Sequence, residues 1–98
     1  MKFELAILTG NTNLNRCDNV DVEITLSDKR VFSATFFTLK NIERLLSIYK
    51  TTGECANGLY FWAQDMIIVN DLDEPTLRKA VNDLIDSEEL YGSCSQIK

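Results

Sequence analysis

The chain has 98 residues, 45% of them hydrophobic and 26% charged, and carries a formal net charge of −5. This composition excludes a disordered chain and is typical of one globular domain, 1–98. Because the chain has no histidine, imidazole bases and the usual zinc sets are excluded. Cys17, Cys55 and Cys94 are expected to be reduced thiols. Glu4 interrupts any apolar signal region, so we expect a cytoplasmic protein.

The first third of the chain predicts three strands in a meander. Residues 3–7 alternate between apolar and other side chains, and residues 20–26 do so strictly, which predicts strands with one buried face. Residues 31–39 are rich in β-branched and aromatic types, as in a third, antiparallel strand. Residues 10–19 are dense in turn-forming types and are expected to form an exposed loop.

Two helices are predicted, at 41–51 and 74–87. The first has an apolar stripe at helical spacing, with Asn41 as its expected cap and Gly53 placed to end it. The second is expected to begin after Asp73, which can accept a hydrogen bond from the first turn. The tail after this helix is expected either to fray or to add a short strand.

The stretch 59–69 contains the only tryptophan and predicts two strands or one bulged strand. A hairpin turn at Gln64-Asp65 is favoured over a bulge. Whichever of Phe61 and Trp62 points inward is expected to pack against both helices, at Leu45 and Leu84.

These elements predict an α+β fold in which an antiparallel sheet of four to six strands has two helices packed on one face. The expected order is β-β-β-α-β-β-α. The opposite face should be only partly covered, which suits the polar residues Asp21, Glu23 and Thr25.

No arrangement of residues in the sequence indicates catalysis. The four glycines are too scattered for a phosphate-binding loop, and the acids of 71–74 do not match a calcium loop. We therefore expect no enzyme activity, no metal and no other cofactor.

The charge imbalance lies entirely in residues 65–98, which hold eight acids against three bases. This sign disfavours nucleic acid and favours a basic protein partner. No apolar run predicts a membrane span.

Three segments resemble a family of small bacterial immunity proteins encoded beside contact-dependent growth-inhibition or other polymorphic toxins. They are Ser33-Ala34-Thr35-Phe36-Phe37-Thr38, Thr52-Gly53-Glu54 and the run from Tyr60 to Val69, and the resemblance spans roughly residues 20–90. It implies a stoichiometric inhibitor that blocks the active site or substrate groove of a cognate toxin domain, often a nuclease. It assigns no binding residue by position.

A basic toxin would be attracted to the acids of the last third, since a nuclease surface must hold phosphates. The predicted contacts are six carboxylates around the second helix: Asp71, Glu74, Asp83, Asp86, Glu88 and Glu89. Asp73 is expected to cap the helix instead of binding. The alternative is a non-catalytic adaptor subunit that binds a protein or a small ligand through its open sheet face.

Overall fold

The computed structural model describes residues 2–8 and 19–98, so most of the predicted 10–19 loop lies outside the described residues. The described part confirms an α+β fold with a five-stranded, largely antiparallel sheet. Its elements in chain order are β1 (Phe3–Ile7), β2 (Val20–Leu26), β3 (Val31–Phe37), α1 (Leu39–Thr52), α2 (Glu54–Gly58), β4 (Met66–Ile68), α3 (Glu74–Asp86), α4 (Leu90–Ser93) and β5 (Ser95–Gln96).

The sheet is organised around β3, which has partners on both edges. The predicted meander of β1, β2 and β3 is confirmed, with Leu5 opposite Ile24 and Ile24 opposite Phe32. The other edge of β3 is divided between two short strands. β5 runs antiparallel along its first half, and β4 runs parallel along its second half. The tail therefore does add a strand.

The prediction of a hairpin within residues 59–69 is wrong. Only Met66–Ile68 forms a strand, and residues 60–63 have no regular structure. Gln64 and Asp65 form a turn that leads into β4, with Asp65 in the left-handed region at φ 57°. The physical reason is that β3 has one edge left after pairing with β2. Since β5 occupies half of that edge, only a short strand fits on the remainder.

The core lies between one face of the sheet and α3. Alternate residues of β2 and β3 point into it, as the period-two pattern predicts. Leu77 and Val81 of α3 meet them, and Leu72, Leu90 and Cys94 close the periphery. The largest fully buried side chains are Phe32 and Phe36, whose exposed fraction is zero. α3 is thus fixed firmly to the sheet through one side.

The opposite sheet face carries a polar hydrogen-bond network. The Thr35 hydroxyl donates to Asp21 Oδ1 at 2.8 Å, and the Ser95 hydroxyl donates to Asp65 Oδ1 at 2.7 Å. Asp21 is exposed, while Glu23 and Thr25 are half-buried. The prediction that these three residues lie on the less covered face is therefore consistent with the structure.

α1 begins two residues earlier than predicted and lies apart from the core. Thr38 is its N-cap, and Asn41 takes the reciprocal third position of the capping box instead of being the cap itself. Gly53 ends the helix in the left-handed conformation, as predicted, and donates its N–H to the Tyr49 carbonyl at 2.8 Å. No residue of α1 is fully buried. Its apolar stripe is therefore only partly covered.

α2 is a left-handed turn that returns the chain along α1. Cys55, Ala56 and Asn57 have φ values of 50°, 52° and 61°, which L-residues seldom adopt in succession. Gly58 follows at φ 79°, and a Cβ built there would lie 2.4 Å from the Leu46 carbonyl oxygen. Only glycine allows this close approach of the two backbones.

Candidate binding surfaces

Phe61 anchors the segment after α2 to the polar side of the sheet. Its ring meets Phe37 edge-on with centroids 5.1 Å apart, and it stacks on Tyr49 of α1 at 6.4 Å. Because Phe37 follows Phe36 in β3, it points away from the core. The prediction that this aromatic residue meets Leu84 is wrong, since Leu84 packs against the core cluster on the other face.

The residues around Phe61 form an exposed aromatic surface, which we define as Leu59, Tyr60 and Trp62. Their exposed fractions are 80%, 51% and 68%. Strand propensity alone does not predict this surface, because it places the aromatic residues of 59–69 in buried strands. Ala63 and Asp65, both poor strand formers, were the signal that the strand begins later. Trp62 is thus a surface residue.

A groove of about 750 Å³ runs between the start of α1 and the segment after β4. Leu39 and Ile68 give it an exposed apolar lining, and Lys40, Arg44 and Asp71 give it charges of both signs. Asp71 is one of the six predicted contacts. The structure therefore places that carboxylate beside exposed apolar side chains.

The six predicted acids are all exposed, but the structure does not gather them into one cluster. Glu74 and Asp86 stand at the two ends of α3, about 18 Å apart at 1.5 Å per residue. That distance exceeds the screening length of about 8–10 Å at ordinary ionic strength. The two ends of α3 therefore present separate groups of charge.

At the N-terminal end of α3, neighbouring groups already neutralise part of the negative charge. Glu74 forms an ion pair with Arg78 at 3.0 Å, one helical turn away. Asp73 caps the helix as predicted, accepting the Thr76 N–H at 2.8 Å. Hydrogen bonding from Thr76 lowers the pKa of Asp73 below its ordinary value. Arg78 therefore offsets part of the charge of Glu74, and Asp71 lies in the groove that Lys40 and Arg44 also line.

The C-terminal end of α3 presents the denser acidic surface, which we define as Asp83, Asp86, Glu88 and Glu89. Asp83 and Asp86 lie on the side of α3 opposite the buried Leu77 and Val81, and Asn82 donates to Asp86 at 3.3 Å. Glu88 and Glu89 follow in the connection to α4. Asp83 and Asp86 are held in place because the other side of their helix packs in the core.

Glu88 also borders a cavity of about 460 Å³ whose floor includes Phe32 and Leu90. The Arg30 guanidinium forms one wall. It donates to the Tyr91 hydroxyl at 2.7 Å and pairs with Asp28 at 2.8 Å. These bonds, led by that to Tyr91, raise the pKa of Arg30. The arginine is held in place by its own neighbours.

The described residues contain no group of three or more cysteine, aspartate or glutamate side chains placed to hold a metal ion. Cys94 is buried, and its burial raises the pKa of the thiol. Within residues 2–8 and 19–98, no helix is long and apolar enough to cross a membrane.

No protein-family model, curated protein or solved structure matches the chain.

Proposed function

We propose that the protein is a cytoplasmic immunity protein that binds a cognate, basic toxin domain and blocks its active site or substrate groove. The observation that carries this proposal is the exposed aromatic surface, Leu59, Tyr60 and Trp62. Tyr60 and Trp62 lie within a segment through which the sequence resembles the immunity family. A binding protein of this kind requires exposed anchors and no catalytic group of its own.

Exposed tryptophan and tyrosine side chains are typical centres of protein interfaces. They bury a large area with few rotatable bonds, and they are enriched among the residues that dominate binding energy. Here Phe61 fixes the segment between Phe37 and Tyr49. A segment held in this way loses less conformational freedom when a partner binds.

The acids supply the second component of the proposed interaction. The acidic surface at the end of α3, together with Asp71 and Glu74, gives the protein a negative field that attracts a basic domain and speeds its association. Because all six carboxylates are exposed, their effect is expected mainly on the association rate and the salt dependence.

The test is titration of the purified protein against the product of an adjacent toxin gene. Trp62→Ala should weaken binding by about thirtyfold or more, as expected for a central aromatic contact of at least 2 kcal/mol. Ile97→Ala is the control, since Ile97 is an exposed apolar residue elsewhere. It should leave the affinity within about twofold, in line with the small effects of peripheral contacts.

The electrostatic component is tested by Asp83→Lys with Asp86→Lys, which should weaken binding at least tenfold at low salt. The control for net charge is Glu4→Lys with Glu23→Lys on the polar sheet face. If the control pair weakens binding more than the α3 pair, the interface lies on the sheet face. If the protein binds no toxin, the immunity proposal is wrong and the adaptor alternative takes its place.

A further inference from the structure

β1 is an edge strand, and within the described residues it pairs on one side only, with β2. The Leu8 N–H donates to the Asp21 carbonyl at 2.9 Å, which identifies Leu8 and Asp21 as a directly hydrogen-bonded pair. Such pairs alternate along an antiparallel ladder. Glu4 and Ala6 therefore direct their backbone groups toward β2, whereas Phe3, Leu5 and Ile7 direct theirs outward.

The same three residues are incompletely buried. Phe3, Leu5 and Ile7 pack against the core, but each is only half-buried, whereas their partners on β2 are at most 5% exposed. The edge therefore combines outward backbone donors and acceptors with apolar side chains that another strand would cover. An edge of this kind is a template for strand addition.

We propose that this edge binds a second copy of the chain, with the two β1 strands antiparallel about a two-fold axis at Leu5. In this register Leu5 lies opposite its symmetry mate, and Phe3 lies opposite Ile7 of the other copy. All three outward-facing residues then fall in hydrogen-bonded pairs, which gives about six inter-strand hydrogen bonds.

The second copy is the occupant because β1 is complementary to itself. Side chains paired across the strands share a face, so the half-buried apolar residues of both copies meet on the core side. The two sheets would join into one, and each core would extend across the axis. The symmetry is isologous and closed, so association stops at the dimer. A contact based on one short strand predicts a weak dimer, with a dissociation constant of about 1–100 µM.

The register also predicts how charge affects the dimer. Glu4 lies opposite Ala6 of the other copy and diagonal to the partner's Glu4, at about 7–8 Å. Glu23 lies beside Ala6 on β2, so carboxylates gather near the axis on the polar face. Added salt or Glu4→Gln should therefore strengthen the dimer, by about twofold or more for the variant.

The first test is sedimentation equilibrium of the full chain from about 1 µM to 1 mM, compared between Leu5→Pro and Leu5→Ala. Both variants lose the leucine side chain, but proline also removes the outward N–H and leaves the bonds to β2 intact. We expect Leu5→Pro to raise the dissociation constant at least tenfold above that of Leu5→Ala. A dimer that persists unchanged in Leu5→Pro, or a parent that stays monomeric at 1 mM, overturns the proposal.

The second test needs no variant. Amide hydrogen exchange should show concentration-dependent protection at Phe3, Leu5 and Ile7, and constant protection at Glu4 and Ala6, which already bond to β2. Exchange at the three outward amides that does not change with concentration would rule out the β1 contact. This alternation distinguishes strand pairing from association through another surface.

Discussion

Alanine substitutions at three glycines measure how much the left-handed return of the chain along α1 contributes to stability. Gly58 has a positive φ of 79°, and its site has no room for a side chain. An added Cβ would lie 2.4 Å from the Leu46 carbonyl oxygen. Gly53 also has a positive φ, 86°, but its added Cβ would meet only Asn57 Oδ1 at an ordinary 3.5 Å. Gly92 has no neighbour within 4 Å. The series therefore separates backbone conformation from steric contact.

The magnitudes follow from these geometries. Gly53→Ala should cost about 1–2 kcal/mol, the price of placing an L-residue in the left-handed region. Gly58→Ala adds an overpacking cost of about 1–3 kcal/mol. Gly92→Ala should be neutral or slightly stabilising, because it restricts the unfolded chain without strain. In a domain of this size, each kcal/mol lowers the melting temperature by about 4–8 °C.

The assay combines thermal unfolding with amide exchange of α1 and β3. Since no residue of α1 is fully buried, α1 and α2 can open without unfolding the sheet, and the global melt then shows only part of the cost. Gly58→Ala should accelerate exchange in α1 more than in β3. If both measurements show the same loss of stability for Gly58→Ala and Gly53→Ala, the close approach of Gly58 to Leu46 does not exist.

Three further predictions concern the core, acid stability and thiol reactivity. Phe36→Ala should lower the free energy of unfolding by about 3–5 kcal/mol, whereas Trp62→Ala should change it by less than about 0.5 kcal/mol, both measured by denaturant titration. Because hydrogen bonding lowers the folded-state pKa of Asp73, its contribution is present above the unfolded pKa and is lost as pH falls through the folded value. In Asp73→Ala the free energy of unfolding should therefore fall less steeply as the pH is lowered. An unchanged pH dependence at acidic pH would contradict the cap. Peptide mapping after alkylation should show Cys55 modified well before the buried Cys94, and equal rates would place Cys94 at the surface.

The sequence predicted the elements whose patterns are local. Strict alternation identified β2, and the apolar stripes identified α1 and α3 to within a few residues. Asp73 and Gly53 were identified as helix ends because capping and the left-handed conformation favour a few residue types.

The arrangement of residues 59–69 could not be predicted because tertiary pairing decides it. Its aromatic residues have high strand propensity, but strand propensity chiefly reflects packing against neighbouring strands. Residues 60–63 have no free edge of β3 to pair with, because β5 and the three residues of β4 already occupy the edge opposite β2. Of the two residues considered for the inward position, Phe61 packs against Phe37 and Trp62 lies at the surface. The six acids were correctly placed outside, but their division between the two ends of α3 was not apparent from charge alone.

The shared edge of β3 also has a consequence for the order of events during synthesis. β1, β2 and β3 are complete once residue 37 has been made, yet β5 pairs with β3 from residues 95 and 96. The contact between Arg30 and Tyr91 likewise spans 61 positions. At about 5–20 residues per second, the nascent meander waits for several seconds with this second edge open. A chaperone or a neighbouring nascent chain that pairs with strands meets an edge during that interval which the finished protein no longer offers.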